Sequence, residues 1–454
     1  MCGIRLINKK MRMMKKKGNQ IFRIVLSLVC LPVSVALTST SATAQAKGDS
    51  TRSVVSRLSV GGYGEVALSR NFYSDNQYRY RYPDKYRNDP SNGRFDIPHA
   101  VIYLNYDFGK GWTMGSEIEF EHTGTGSAIE IEDDEGGEYE HEIEKGGEVE
   151  LEQFWLQKSV MPSLNIRVGH IVVPVGLNNA HHEPLNFFTV YRPEGENTIL
   201  PSTWHDTGIS IWGLAGDFRY EVQCVAGLNA LMFSRDKWIN GGAGSAFEFK
   251  PANKYGFAAR IDNYSIEGLR LGLSGYFGQS FHNTYPNEME GAGKTYDKVK
   301  GNVLIGSVDM TFNRFNWIVR GQADYGFISD TPMLNSAKIN SQKTSPYNKT
   351  YVGKNAVAIG LEAGYDIFSQ IASLKEDGRK LYLFGRYEYY DSYIKEHTQP
   401  SFDYTAKKRW AVGLNYFPIP QIAVKADYSM RMLRKQYNNE PSLNIGIAYQ
   451  GFFL

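Results

Sequence analysis

The chain has 454 residues, with 45 Gly, 30 Tyr and 24 Phe and only 42% hydrophobic residues, a balance that suits many strands joined by turns. Its net charge of +2 is unevenly spread: residues 1–44 carry eight Lys and Arg and no acid, so the rest holds 42 basic against 48 acidic residues, a net −6. That mildly acidic remainder gives no footing for nucleic-acid binding, and no apolar run is long enough to cross a bilayer as a helix.

The N-terminus reads as a secretory signal. Eight basic residues up to Arg23 precede the apolar Ile24 to Leu37 and the small-residue site Ala42-Thr43-Ala44, so residues 1–44 are expected to be cleaved. The basic region is long, which makes Met11, Met13 and Met14 candidate starts. Cys30 lacks the small preceding residues of a lipid-anchor site. The mature chain then keeps one thiol, Cys224, read as a small apolar strand residue. Residues 45–58 form a short periplasmic lead.

From Ser59 onward, segments of roughly ten residues alternate apolar and polar side chains at period two, with connections that are alternately short and long. This is the pattern of an all-β transmembrane antiparallel barrel, with short periplasmic turns and long outer loops. In chain order the strands are expected over 60–69, 96–108, 113–122, 148–159, 163–171, 207–214, 218–227, 254–264, 269–279, 302–312, 317–327, 355–367, 381–391, 409–417, 421–432 and 442–453. Sixteen is even, as closure with both termini on one side requires. On the last strand Leu443, Ile445, Ile447, Tyr449 and Phe453 share a face, as in a barrel-insertion signal, although Leu454 follows the aromatic. Trp112, Trp155, Trp212, Trp238, Trp317 and Trp410 are read as partly interfacial girdle residues.

Alternation also assigns the charges. With Ile118 and Phe120 facing lipid, Glu117, Glu119 and Glu121 point inward, and the next strand adds Glu148, Glu150 and Glu152: six carboxylates on one wall, which need water, cations or basic partners. Elsewhere a basic residue precedes an acid by two positions: Arg219 with Glu221, Arg260 with Asp262, Arg386 with Glu388, Lys425 with Asp427, and more loosely Arg320 with Asp324. Such pairs lie on one face about 7 Å apart; Arg167 and Arg270 add positive charge. Charges at membrane depth imply a hydrated interior.

The connection from about 174 to 206 is too long for a turn and is rich in aromatics and prolines, which argues for an ordered, functional loop. Its candidate constriction residues are His181, His182, Glu183, Tyr191, Arg192 and Glu194. Adjacent histidines point apart on an extended chain and no further ligand spacing follows, so no metal is expected there. The acidic loop Glu130 to Glu144 lacks the ligand spacing of a calcium site. No Gly-x-Ser-x-Gly or similar signature appears, so neither an enzyme nor a cofactor is expected.

The runs Gly146-Gly147-Glu148-Val149, Gly169-His170-Ile171-Val172-Val173-Pro174-Val175-Gly176-Leu177, His181-His182-Glu183-Pro184, Tyr191-Arg192-Pro193-Glu194-Gly195 and Leu200-Pro201-Ser202-Thr203-Trp204-His205-Asp206-Thr207-Gly208 resemble the phosphate-selective porin O and P family. The resemblance is specific over about residues 95–215 and compositional beyond. It implies a sixteen-stranded barrel in a Gram-negative outer membrane, usually a homotrimer among lipid and lipopolysaccharide, whose third outer loop folds in to narrow the pore. The expected function is passive diffusion of ions and small hydrophilic solutes. Two alternatives are a phosphate or anion channel using Arg167, Arg219, Arg260, Arg320 and Arg386, and a binding or adhesion barrel with a blocked lumen.

Overall fold

The computed structural model describes residues 57–122, 149–179, 181–201, 203–245, 249–284, 296, 298–339 and 348–454, together with the backbone of a hairpin at 128–131 and 141–144. The expected signal at 1–44, residues 45–56, Glu148 and the side chains of the acidic loop lie outside the described residues.

Sixteen antiparallel strands close into a barrel: β1 Leu58–Asn71, β2 His99–Gly109, β3 Trp112–Glu121, β4 Val149–Met161, β5 Leu164–Val172, β6 His205–Ala215, β7 Phe218–Val225, β8 Gly256–Ile266, β9 Leu269–Gln279, β10 Asn302–Arg314, β11 Trp317–Ile328, β12 Asn355–Asp366, β13 Lys380–Ile394, β14 Ala406–Ile419, β15 Ile422–Met432 and β16 Glu440–Phe452. Each pairs with its sequence neighbour, and β1 closes on β16 from Gly61 opposite Phe452 to Asn71 opposite Ser442. Leu454 prolongs that seam, its carbonyl accepting from the Val60 N–H at 3.0 Å.

Period-two alternation explains why these segments are strands. On β16 the side chains of Leu443, Ile445 and Ile447 are 42–49% exposed on the outside, while Asn444 and Ala448 are 3% exposed inside. Repeated around the circuit, this makes an apolar outer belt, which is stable against lipid and costly against water. The turn between β10 and β11 places Phe315 and Asn316 at φ +57° and +66°, the left-handed pair that matches the twist of a two-residue hairpin.

The expected descending strand from 96 is broken. Asn92–Asp96 pairs with the far end of β1, Ile97-Pro98 interrupts, and β2 begins at His99, because Pro98 has no N–H to give the ladder. Three tryptophans also depart from the girdle reading. Trp238 is fully buried, donating to the Gly353 carbonyl at 3.1 Å, within an apolar cluster that draws on the connections after β5, β7, β9 and β11. Trp155 and Trp212 face the lumen around Arg167. Trp112 and Trp317 stay exposed on the outer face beside the short turns, where amphipathic rings favour an interface. Cys224, a half-buried residue of β7, is a free thiol.

Candidate functional site

The chain leaves β5 at Val172 and re-enters at His205, and the connection folds into the barrel. Its shape is fixed from within by Glu196, on a short helix α1 Glu194–Ile199. This carboxylate accepts from the N–H groups of Leu177 (3.1 Å), Asn178 (2.9 Å) and Asn179 (3.1 Å), and from the Asn178 side-chain amide (3.0 Å). Gly176 lets the carboxylate approach: it has φ +87°, and a Cβ there would meet Glu196 Oε1 at 2.2 Å. Asn179 ties the two ends of the loop together, donating to Val173 O at 2.6 Å and accepting from the Trp204 N–H.

Lumen-facing charges then clamp the loop to the wall. The Lys425 ammonium donates to the carbonyls of Pro184, Phe187 (2.9 Å) and Thr189 (3.1 Å) and lies 4.2 Å from the Phe187 ring centroid. Asp427 accepts from the Val190 N–H at 2.7 Å, Glu388 from the Gly195 N–H at 3.0 Å, and Arg260 donates to Gly176 O at 2.8 Å. Phe188 stacks on Phe384 at 5.3 Å under Arg320.

Glu194 meets Arg431 at 2.7 Å, Arg409 at 3.3 Å and the Tyr390 hydroxyl at 2.6 Å. Burial pushes this carboxyl up, but Arg431, then Arg409 and Lys407, outweigh it and hold Glu194 down at about 2. A lowered carboxylate pKa stabilises the folded state above the unfolded value near 4.5, and that contribution fades as pH falls through the folded value. The gap in thermal stability between wild type and Glu194→Gln in detergent is therefore expected to be full at pH 7 and to close between about pH 4.5 and 2. A gap independent of pH would contradict the pairing.

Of the expected pairs, Arg219–Glu221 (2.6 Å), Arg260–Asp262 (2.9 Å) and Arg386–Glu388 (3.0 Å) form. Two expectations are corrected. Lys425 and Asp427 serve the loop backbone instead of each other, and Arg320 reaches across to Glu362 at 2.6 Å instead of to Asp324. The pairs merge into a belt, because Arg270 and Arg260 share Asp262 and Asp309, while Arg320 and Arg386 share Glu362. Within it the acids are covered: the Asp309 and Glu362 side chains are 0% exposed, against 13% for Arg320, and Arg219 at 29% covers Glu221 at 5%. Arg167 differs. It lies 4.4 Å from the Trp155 ring, donates to Gln157 at 3.0 Å, and among the described residues has no carboxylate within ion-pair distance.

Five of the six expected wall acids, all but Glu148, are described, on β3 and β4, half a circuit from β11 and β12. Glu119 sits opposite Glu150, and a bulge opposite Glu117 and Ile118 leaves Glu152 without a cross-strand partner residue, so Glu152 turns inward beside Glu117 and Glu119. These three are 1–2% exposed; Glu121 and Glu150 are half-buried. Neighbouring strands add an imidazole and a further carboxylate that are not among the expected wall residues. His99 on β2 meets Glu119 at 2.6 Å, Glu121 at 3.8 Å and Glu65 of β1 at 3.8 Å. Alternation could have found both, since Ile102 and Val66 mark the outer faces of their strands.

The loop residues divide the remaining work. His182 is buried, 3.5 Å from Glu117, whereas His181 is exposed, so the two rings do part. Arg192 donates to His182 O and to the Tyr63 hydroxyl; Tyr191 accepts from Ser69 at 3.0 Å and lies under Arg94; Glu183 accepts from Asn186 at 2.6 Å. On the short-turn side a cavity of about 470 Å³ is lined by residues that include His181, Arg270, Arg320 and Thr311, with no carboxylate among them.

No family model matches the chain. It is 28% identical over 397 residues to an uncharacterized protein of Aquifex aeolicus (strain VF5), covering 84% of this chain and 78% of that one. Among solved structures it is similar to an anion-selective porin from Comamonas acidovorans (9% identity, 87% of this chain and 99% of that one, TM-score 0.49). It is also similar to the outer membrane channel DcaP of Acinetobacter baumannii (10%, 87% and 97%, TM-score 0.49).

Proposed function

We propose that the chain is a passive diffusion channel of a Gram-negative outer membrane, a porin whose solutes pass between the infolded loop and a charged wall. The observation that carries this reading is the loop itself, held inside a closed, apolar-belted barrel by inward Lys425, Asp427, Glu388 and Arg260. Charges on a lipid-facing wall would be expelled; charges on an inner wall beside an ordered loop define a hydrated path whose width and fixed charge select solutes.

A second reading, anion preference, is favoured by the cavity lined by Arg270 and Arg320 and by the guanidinium groups that cover their acids. Phosphate preference has less support, because Arg219, Arg260, Arg320 and Arg386 each already hold a carboxylate. Arg167 is the clean probe, since removing it strands no buried acid. One charge about 8 Å from a passing ion in water is worth about 0.5 kcal/mol, roughly two-fold in permeability. Arg167→Gln is thus expected to lower the anion-to-cation permeability ratio by about that factor in reversal-potential measurements. An unchanged ratio would remove Arg167 from the solute path.

A further inference from the structure

We propose that Glu117, Glu152 and His182 form a divalent-cation site that staples the infolded loop to the acidic wall. One ligand atom from each of the three lies within 4.8 Å of the others; two bonds of about 2.0–2.2 Å span at most about 4.4 Å, so the side chains need close in by only a few tenths of an ångström to share one metal. The three arrive from separate places: Glu117 from β3, Glu152 from the bulge in β4, and His182 from the loop.

Two further observations point to a ligand. Glu152 is 2% exposed; its Oε1 is taken by the Thr203 hydroxyl, while its Oε2 is buried with no hydrogen-bond partner. A buried, unpartnered carboxylate oxygen beside further carboxylates is costly unless a proton or a cation meets it. His182 is also oriented as a metal ligand would be. Its Nδ1 faces the Asn179 carbonyl at 3.1 Å, leaving Nε2 directed at Glu117 across 3.5 Å, too far for a good hydrogen bond. A backbone carbonyl that fixes the far nitrogen is the usual support for a ligating imidazole. One imidazole with two carboxylates suits Zn²⁺ and similar divalent ions. The neighbouring His99, Glu119 and Glu121 group differs, because His99 already meets Glu119 at 2.6 Å.

The site would work whether or not the lumen conducts, so its test is separate from that of the channel. Titration calorimetry of the folded full chain in detergent with ZnCl₂ is expected to show one Zn²⁺ per chain. Binding should weaken more than about ten-fold in Glu152→Gln and in His182→Gln, and stay unchanged in Glu376→Gln, at the exposed end of the short helix Ala372–Glu376. On the wild-type chain alone, Zn²⁺ should slow proteolysis within residues 173–204 and EDTA should reverse the effect, which keeps the test alive if a variant fails to fold. Absence of saturable binding, binding retained in both variants, or binding lost in His99→Gln but kept in Glu152→Gln would each overturn the assignment.

Discussion

Replacing Lys425 by Met is expected to raise single-channel conductance and make it noisy, while leaving the barrel folded. The ammonium is fully desolvated and holds three loop carbonyls that have moved about as far from bulk water as it has. Methionine keeps the volume and removes every donor. Hydrogen bonds to a charged group contribute about 1.5–3 kcal/mol each, and removing one member of a buried charged set costs about 3–5 kcal/mol. Even 3 kcal/mol shifts the docked-to-undocked ratio of the loop by roughly a hundred-fold. The ladder between β14, β15 and β16 does not involve that side chain, so circular dichroism should be unchanged. Wild-type conductance in a folded variant would show that the loop needs no grip from the wall.

Glu196→Ala is expected to act from inside the loop. It strands three buried backbone N–H groups and the Asn178 amide, at about 1–3 kcal/mol for each unsatisfied donor. The turn Leu177 to Asn179 then loses these hydrogen bonds to α1. Limited proteolysis in detergent should cut within residues 173–204 at least ten times faster than in wild type, a factor worth about 1.4 kcal/mol, with the strands still protected. Glu196→Gln keeps one acceptor oxygen and should fall between the two. Equal protection of all three proteins would show that wall contacts alone order the loop.

The barrel was legible because period-two alternation is local: each strand declares its two faces through its own residues, and all sixteen emerge near their observed places. Where the reading failed, local phase failed too. On β4 the even positions Glu150 and Glu152 face inward, so Trp155 should face lipid; the bulge at Glu152 and Gln153 adds a residue, flips the phase and turns Trp155 into the lumen. For Trp212 the local signal is present, since Ile209 and Ile211 mark the outer face and put Trp212 on the inner one.

Site residues followed the same division. Arg219, Arg260 and Arg386 find the acids two positions on because a strand places them side by side. Lys425 does not, because carbonyls more than 230 residues away in sequence offer it three well-aligned acceptors. Likewise nothing in the local sequence of His181-His182-Glu183 shows that Glu117 and Glu152 wait across the lumen. Long-range docking of one loop decides these partners, and period and spacing carry no record of it.

Single-channel recording in planar bilayers tests the channel reading most directly. The purified, folded protein should insert with stepwise, uniform conductance increments that scale with salt concentration, and Lys425→Met should enlarge them. Folded protein that inserts into the bilayer yet gives no steps at any salt concentration would contradict it and leave a sealed barrel.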